Sequence, residues 1–329
     1  MKYLNKKAFI GLISIFSLTL TSCNAFSTFS RLPFKVISSA GAYSFAMCGY
    51  YVDPNFTVEL DDRNVLEAFK DKEYGIISYD TIKGLKMCQE YGNYKLASTY
   101  VAGSHYILSL NEEITAMSDD LRIVANNENG CLGTAANYIF EEKCSITYVD
   151  RTDFEFYQDL YEGKYVQDYD ACIIANPYAQ HLLKKFTPEN LYFGLLQKLY
   201  NSMRNKTNEM TGYYPECSIF INEDIINEHM KVYDEFKTLV PKWVDLTIKD
   251  PYETYQYLNI DCDNYEQQWD KYHFTSYDLT QLIVASSYDV DDNFKINSIK
   301  YTTDYTHENL KMYLNRVNLV FENIDNLLY

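Results

Sequence analysis

The chain has 329 residues and a formal net charge of −17, from 29 basic and 46 acidic side chains. So acidic a body repels nucleic acid and anionic lipid headgroups, which excludes both as partners. About 300 residues can bury one large core or two of medium size.

The N-terminal segment has a charged start and an apolar middle. Residues 1–7 carry Lys2, Lys6 and Lys7, and residues 8–20 (AFIGLISIFSLTL) form the only long apolar run. That run falls short of the roughly 20 apolar residues a spanning helix needs. The small residues Thr21 and Ser22 follow, then Cys23. The pattern resembles a bacterial lipobox. It implies a signal peptide over 1–22, cleavage before Cys23, and acyl chains (palmitate among them) on that cysteine. The expected location is the outer face of a bacterial cell membrane, held through the lipid anchor alone. Residues 23–33 read as a short polar tether.

From residue 34 strand and helix patterns alternate. Strands are expected at 34–40 (FKVISSA), 56–60 (FTVEL), 74–78 (YGIIS), 121–126 (LRIVAN), 145–149 (SITYV) and 170–175 (DACIIA). Helical spacing is expected at 43–51, 62–72, 79–91, through Phe140, at 153–162 and from Pro177. This alternation predicts parallel strands covered by helices. It occurs twice, before Ala102 and after Leu121, with a continuous strand-like stretch, 95–110, joining the two runs. A second β-rich stretch follows at 217–221 (CSIFI). Beyond Asn222 the chain reads as helical at 223–240, 254–258, 277–287 and 307–328. Two α/β halves make a two-lobed body with a cleft.

Eight cysteines are present. With Cys23 assigned to lipid, seven remain, an odd number, and no CxxC spacing occurs. Cys48, Cys88 and Cys172 lie among apolar residues and are expected to be small buried hydrophobes.

Four loops fall just past strand C-termini: SAGAYS (39–44), SYDTIKG (78–84), NNENGCLGTA (126–135) and ANPYAQ (175–180). In open α/β sheets ligands bind there. Gly41, Gly130 and Gly133 let backbone approach a ligand, and each loop leads into a helix N-terminus with unpaired N–H groups. The order of SAGAYSFAM, YDTIKGLKM, VAGSHYILS, GCLGTAANY, ANPYAQHLL and YYPECSIFIN resembles the solute-binding lipoproteins of ABC importers, of the nitrate/sulfonate/thiamine-precursor type. The likeness covers about 34–240. It implies the two-lobed type 2 periplasmic-binding-protein fold, an α/β body whose cleft lies between two mixed sheets flanked by helices. The first lobe would comprise 34–106 plus 219–329, and the second 107–218.

Carried over by position, the resemblance implies ligand contacts from Gly41, Ala42, Tyr43, Ser44, Tyr79, Asp80 and Thr81. Gly103 and Ser104 on the first crossover join them, and the second lobe adds Gly130, Leu132, Gly133, Thr134, Asn176, Pro177 and Tyr178. Tyr43 stands where the family usually has proline, Asn176 replaces its glutamate, and Cys131 replaces a small hydroxyl residue. The implied function is a monomeric receptor that closes on a small-molecule solute by hinging at 101–108 and near 215–221. It would deliver that solute to a permease driven by an ATPase, with no cofactor and no chemistry of its own. An adhesin-like lipoprotein with a degenerate cleft, or an enzyme on the same scaffold, are the alternatives. No arginine lies in the four loops and Lys83 is their only base. Backbone N–H groups could hold an oxyanion, but a neutral or aromatic solute suits Tyr43, Tyr79 and Tyr178 better. These two tyrosines, Tyr43 and Tyr178, are expected to clamp it from opposite lobes while adding little to either core.

Catalytic motifs are sparse. The histidines (His105, His181, His229, His273, His307) are scattered, and neither HExxH nor GxSxG occurs. A Cys131–His181 nucleophile pair is conceivable on type alone. DVDDNF (289–294) echoes a calcium loop but has Phe294 at the sixth position and Lys300 at the twelfth, so a solvated acidic loop is expected.

Overall fold

A computed structural model describes residues 34–39, 43, 47, 53, 55–61, 64–110, 118–140, 143–175, 178–179, 182, 193–196, 199–200, 214–249 and 300–329. Residues Pro33–Tyr329 cluster as one unit. The expected helices at 254–258 and 277–287, the acidic loop 289–294, Cys23, Cys48 and His181 lie outside the described residues.

The first sheet begins with three parallel strands. These are β1 (Phe34–Ser38), β2 (Phe56–Leu60) and β3 (Ile76–Asp80), with helix α1 (Asn64–Asp71) leading into β3. β1 pairs with both β2 and β3, Val36 opposite Val58 and Ile76. Helix α2 (Thr81–Tyr91) follows directly. Asp80 caps its start, and Gly92 ends it at φ +67°, its N–H returning to the Cys88 carbonyl. That left-handed turn favours glycine. β4 (Lys95–Ala102) then completes the outward run.

The stretch 95–110, expected as one continuous strand, is two. At Gly103 the backbone takes φ +69°, and β5 (His105–Ser109) enters a second sheet. That sheet adds β6 (Arg122–Asn126), α3 (Cys131–Phe140), β7 (Ser145–Val149), α4 (Asp153–Tyr161), β8 (Ala171–Ala175) and β9 (Phe193–Leu195). Its order is β7-β6-β8-β5-β9. β6 runs parallel to β7 and β8, while β5 runs antiparallel to β8 and β9.

β10 (Pro215–Ile221) returns to the first sheet, between β3 and β4 and antiparallel to both. Helices α5 (Glu223–Glu228) and α6 (Met230–Lys249) follow, separated at His229. β11 (Lys300–Tyr305) adds an edge to β4, giving the order β11-β4-β10-β3-β1-β2. Both sheets are therefore mixed rather than wholly parallel. α7 (His307–Arg316) is shorter than the expected 307–328 helix. Asn318 and Asn323 take φ +54° and +49°, which a right-handed helix cannot accommodate, and only a 3-10 turn (Ile324–Leu327) forms beyond them.

Side-chain alternation divides the cores. In the second sheet, Tyr106, Leu108, Val124, Cys172 and Ile174 face α4 with Phe156, Tyr157 and Leu160. Ile107, Ile123, Ala125 and Ile173 face the other way. They join α3, α2 and the first-sheet residues Ile77, Leu96 and Phe220 in one cluster that runs from sheet to sheet. Cys88, Cys131, Cys172 and Cys217 are free and buried, and Cys144 is free and half-buried.

Candidate functional site

The C-terminal ends of β3 and β6 meet across the two sheets. Asp80 closes β3, and its Oδ1 accepts from the N–H groups of Ile82 and Lys83, each at 2.9 Å. Its Oδ2 accepts from the N–H of Cys131, the first residue of α3, at 2.8 Å. The Cys131 thiol lies 3.4 Å from Oδ1. One buried carboxylate thus answers two helix N-termini, where unpaired N–H groups and the helix dipole favour negative charge. Lys86 of α2 adds a second tie, Nζ to the Asn129 carbonyl at 2.9 Å.

Glycine is required where these helices meet. A Cβ on Gly130 would lie 2.5 Å from Asp80 Oδ2 and 2.6 Å from Asn127 Oδ1. On Gly133 it would lie 1.9 Å from the Glu128 carbonyl oxygen. The glycines of GCLGTA thus admit the protein's own carboxylate and loop. Thr134 turns its hydroxyl back to the Gly130 carbonyl at 2.8 Å.

The crossovers hold a second buried carboxylate. Glu216 of β10 is 1% exposed. Its Oε2 accepts from Ser104 N–H at 2.6 Å, and its Oε1 from the Ser104 hydroxyl. His105 Nδ1 lies 3.6 Å from Glu216 Oε2 and 3.2 Å from the Tyr214 hydroxyl, and the His105 and Tyr214 rings stack at 6.2 Å. His105 Nε2 is buried with no hydrogen-bond partner. Burial pushes the Glu216 carboxyl up from its ordinary value; His105 and Ser104 pull it down, and Asp153 pushes it up further.

A hydroxyl seam continues from there into the first sheet. Ser218 Oγ sits 2.8 Å from Thr81 Oγ1 and 2.7 Å from Thr99 Oγ1. Ser78 Oγ pairs with the Tyr100 hydroxyl at 2.5 Å, and that hydroxyl also donates to the Tyr43 carbonyl. Ser78 also lies 3.3 Å from the Cys217 sulfur.

On the second sheet, Asn126 ends β6. Its Nδ2 donates to Asp153 Oδ1 at 2.6 Å and to the Arg151 carbonyl at 3.3 Å. Asn126 is 1% exposed, and its Oδ1 is buried without a partner. Burial raises the Tyr43 phenol well above its usual range, and the next causes are the carboxylates Glu216, Asp80 and Asp153. These three acids and Tyr43 therefore share one electrostatic neighbourhood.

Of the residues expected at the site, Asp80, Thr81, Gly103, Ser104, Gly130, Gly133 and Thr134 lie at the junction of the sheets. Gly41, Ala42, Ser44, Asn176 and Pro177 lie outside the described residues. Leu132 is buried in the cluster that spans the sheets, and so is Tyr79, whose ring packs 6.3 Å from Phe69. The aromatic clamp needs correction. Tyr178 belongs to the second-sheet core, stacked on Tyr157 at 5.2 Å. Tyr43 packs with Met47, Ile76 and Tyr100 in a core of the first sheet. Both rings are core residues of their lobes. An apolar ring gains more by leaving water than by facing it.

Sequence reasoning missed Glu216, His105, Asn126 and Asp153. Glu216 had a signal, as the one charge within YYPECSIFI. The conceivable Cys131 nucleophile is disfavoured chemically, because burial and Asp80 push its thiol well above the usual range.

No protein-family model and no curated protein matches the chain. Solved structures do. The ligand-binding component of an ABC-type import system from Staphylococcus aureus, with zinc bound, shares 12% identity at a TM-score of 0.61, over 91% of this chain and 97% of that one. The periplasmic aliphatic sulphonate-binding protein SsuA from Escherichia coli shares 9% at 0.57, over 91% and 92%. A Candida albicans protein described as having the generic periplasmic binding protein fold shares 11% at 0.54, over 90% and 94%. With two mixed sheets, a crossover at Gly103–Ser104 and a return through β10, this chain has the two-lobed type 2 periplasmic-binding-protein fold.

Proposed function

We propose that the protein is a lipid-anchored extracytoplasmic receptor that captures a small molecule between its lobes and hands it to an ABC permease and its ATPase. The observation that carries this reading is the meeting of two helix N-termini, α2 and α3, at the cleft ends of strands from different sheets. A solute held beside that junction touches both lobes at once, which couples binding to closure. Opening would break the Asp80–Cys131 and Lys86–Asn129 contacts and flex the crossovers, while Asp80 keeps capping α2. Among the described residues no helix is long and apolar enough to cross a membrane, and attachment is assigned to Cys23. On this reading the receptor works as a monomer and does no chemistry, and burial of the Cys131 thiol removes one conceivable nucleophile.

The test is a thermal-shift screen of the full chain in detergent against a metabolite library. A ligand at 100 times its dissociation constant adds about 2.7 kcal/mol. Small-angle scattering at saturation should then show a smaller radius of gyration. A library without a single stabilising compound would point instead to an adhesin-like scaffold.

A further inference from the structure

We propose that the solute is a small organic cation, its N–H groups received by the Asn126 Oδ1–Asp153 carboxylate pair, with the charge of Glu216 nearby. This rests on the receptor reading above and names the ligand's chemistry.

Three observations point the same way. First, the seat that helix N-termini offer an anion is already taken. Asp80 accepts from both α2 and α3 there, and its charge repels a second anion.

Second, Asn126 Oδ1, at the end of β6, is a buried acceptor without a donor. Asn126 Nδ2 faces two acceptors, Asp153 Oδ1 and the Arg151 carbonyl. That fixes the amide orientation and leaves Oδ1 as the atom without a donor. The planar amide keeps Oδ1 beside the Asp153 carboxylate. That site calls for a donor, and a buried acceptor without one is costly.

Third, carboxylates gather here, with His105 the basic group beside Glu216. Asp153, Glu216 and Asp80 all act on Tyr43, and Asp153 acts on Glu216. A water molecule can donate to an acceptor but brings no charge to offset these carboxylates. An ammonium supplies both. The register sets the size. His105 pairs with Ala175 of β8, and β8 lies beside β6, so β5 and β6 are two strand spacings apart, about 10 Å. A molecule of a few heavy atoms spans that distance. Among the described residues no group of three or more His, Cys, Asp or Glu is placed to hold a metal ion, which favours an organic cation over a chelated one.

The experiment is titration calorimetry on the full chain in detergent at fixed ionic strength. The probes are methylammonium, ethylammonium and putrescine, then nitrate and methanesulfonate, then uracil. The expected result is binding of at least one ammonium probe, weakened about 10- to 100-fold by Asp153→Asn or Glu216→Gln, with circular dichroism unchanged. Asp153→Asn keeps side-chain shape at a half-buried position, so its folding is secure if Glu216→Gln fails. Binding of nitrate, methanesulfonate or uracil without any ammonium probe overturns the cation and leaves the receptor standing. Ammonium binding that neither substitution weakens overturns the site. If no probe binds but the metabolite screen yields a ligand, the cation alone falls; if neither yields one, the receptor falls with it.

Discussion

The Asp80 carboxylate and the Cys131 N–H meet at 2.8 Å across the two sheets, and the same carboxylate caps α2. One side chain therefore contributes to local helix stability and to the contact between lobes. Asp80→Ala removes both. Loss of an N-cap costs about 0.5–2 kcal/mol, and a hydrogen bond to a charged group about 1.5–3 kcal/mol. The expected loss is roughly 2–4 kcal/mol in a urea melt. Asp80→Asn keeps one acceptor oxygen and should lose less. Equal losses in the two variants would mean that the retained amide oxygen contributes nothing and that the charge and second oxygen carry the whole effect.

Gly130 and Gly133 separate interlobe contact from loop stability. Gly133→Ala drives a methyl into the Glu128 backbone, so it should destabilise by roughly 1–3 kcal/mol, as overpacking does. Gly130→Ala meets side-chain oxygens of Asp80 and Asn127, which can move. Its expected effect is a larger radius of gyration in scattering with a smaller change in melting temperature. A Gly133→Ala protein as stable as the parent would show that the loop yields.

Tyr178→Ala should behave as a core truncation, since the ring is 3% exposed and stacks on Tyr157. Aromatic truncations in cores cost about 3–5 kcal/mol. A melt that moves by less than a third of that would return Tyr178 to the cleft.

Cys23→Ala should release the protein from membranes into the soluble fraction. Retention after high-salt washing would mean that something other than the acyl chains holds it.

What could be read from the sequence followed periodicity. The alternation of strand and helix located both sheets, although the strand read as ending at Ser78 runs on to Asp80. The misreadings share a cause, which is that residue type does not report direction. Tyr178 looks the same facing a solute or packed on Tyr157. Glu216 lies in an apolar strand, and only the fold brings it to Ser104 and His105, 112 positions from the serine. The α7 pattern continues to Leu328 by apolar spacing, yet the left-handed Asn318 and Asn323 break it. β11 forms because β4 presents an open edge, a tertiary fact absent from its own residues.

The pH dependence of stability should carry the signature of Glu216. Burial raises its folded value above the 4.5 of a free glutamate. Between those two values the folded chain keeps a proton that the unfolded chain has released. The folded state then binds more protons, so stability falls as pH rises through that interval, by up to about 1.4 kcal/mol per pH unit for this one group. Below the unfolded value both states are protonated and no penalty remains. Above the folded value the penalty is constant. Glu216→Gln has no proton to release and should flatten the decline above pH 4.5, even though the amide weakens the bonds from Ser104. The slope of unfolding free energy against pH, not its absolute value, is the quantity to compare. Identical slopes in the two proteins would mean that His105 and Ser104 hold Glu216 ionised as readily as water does, and that its burial carries no cost.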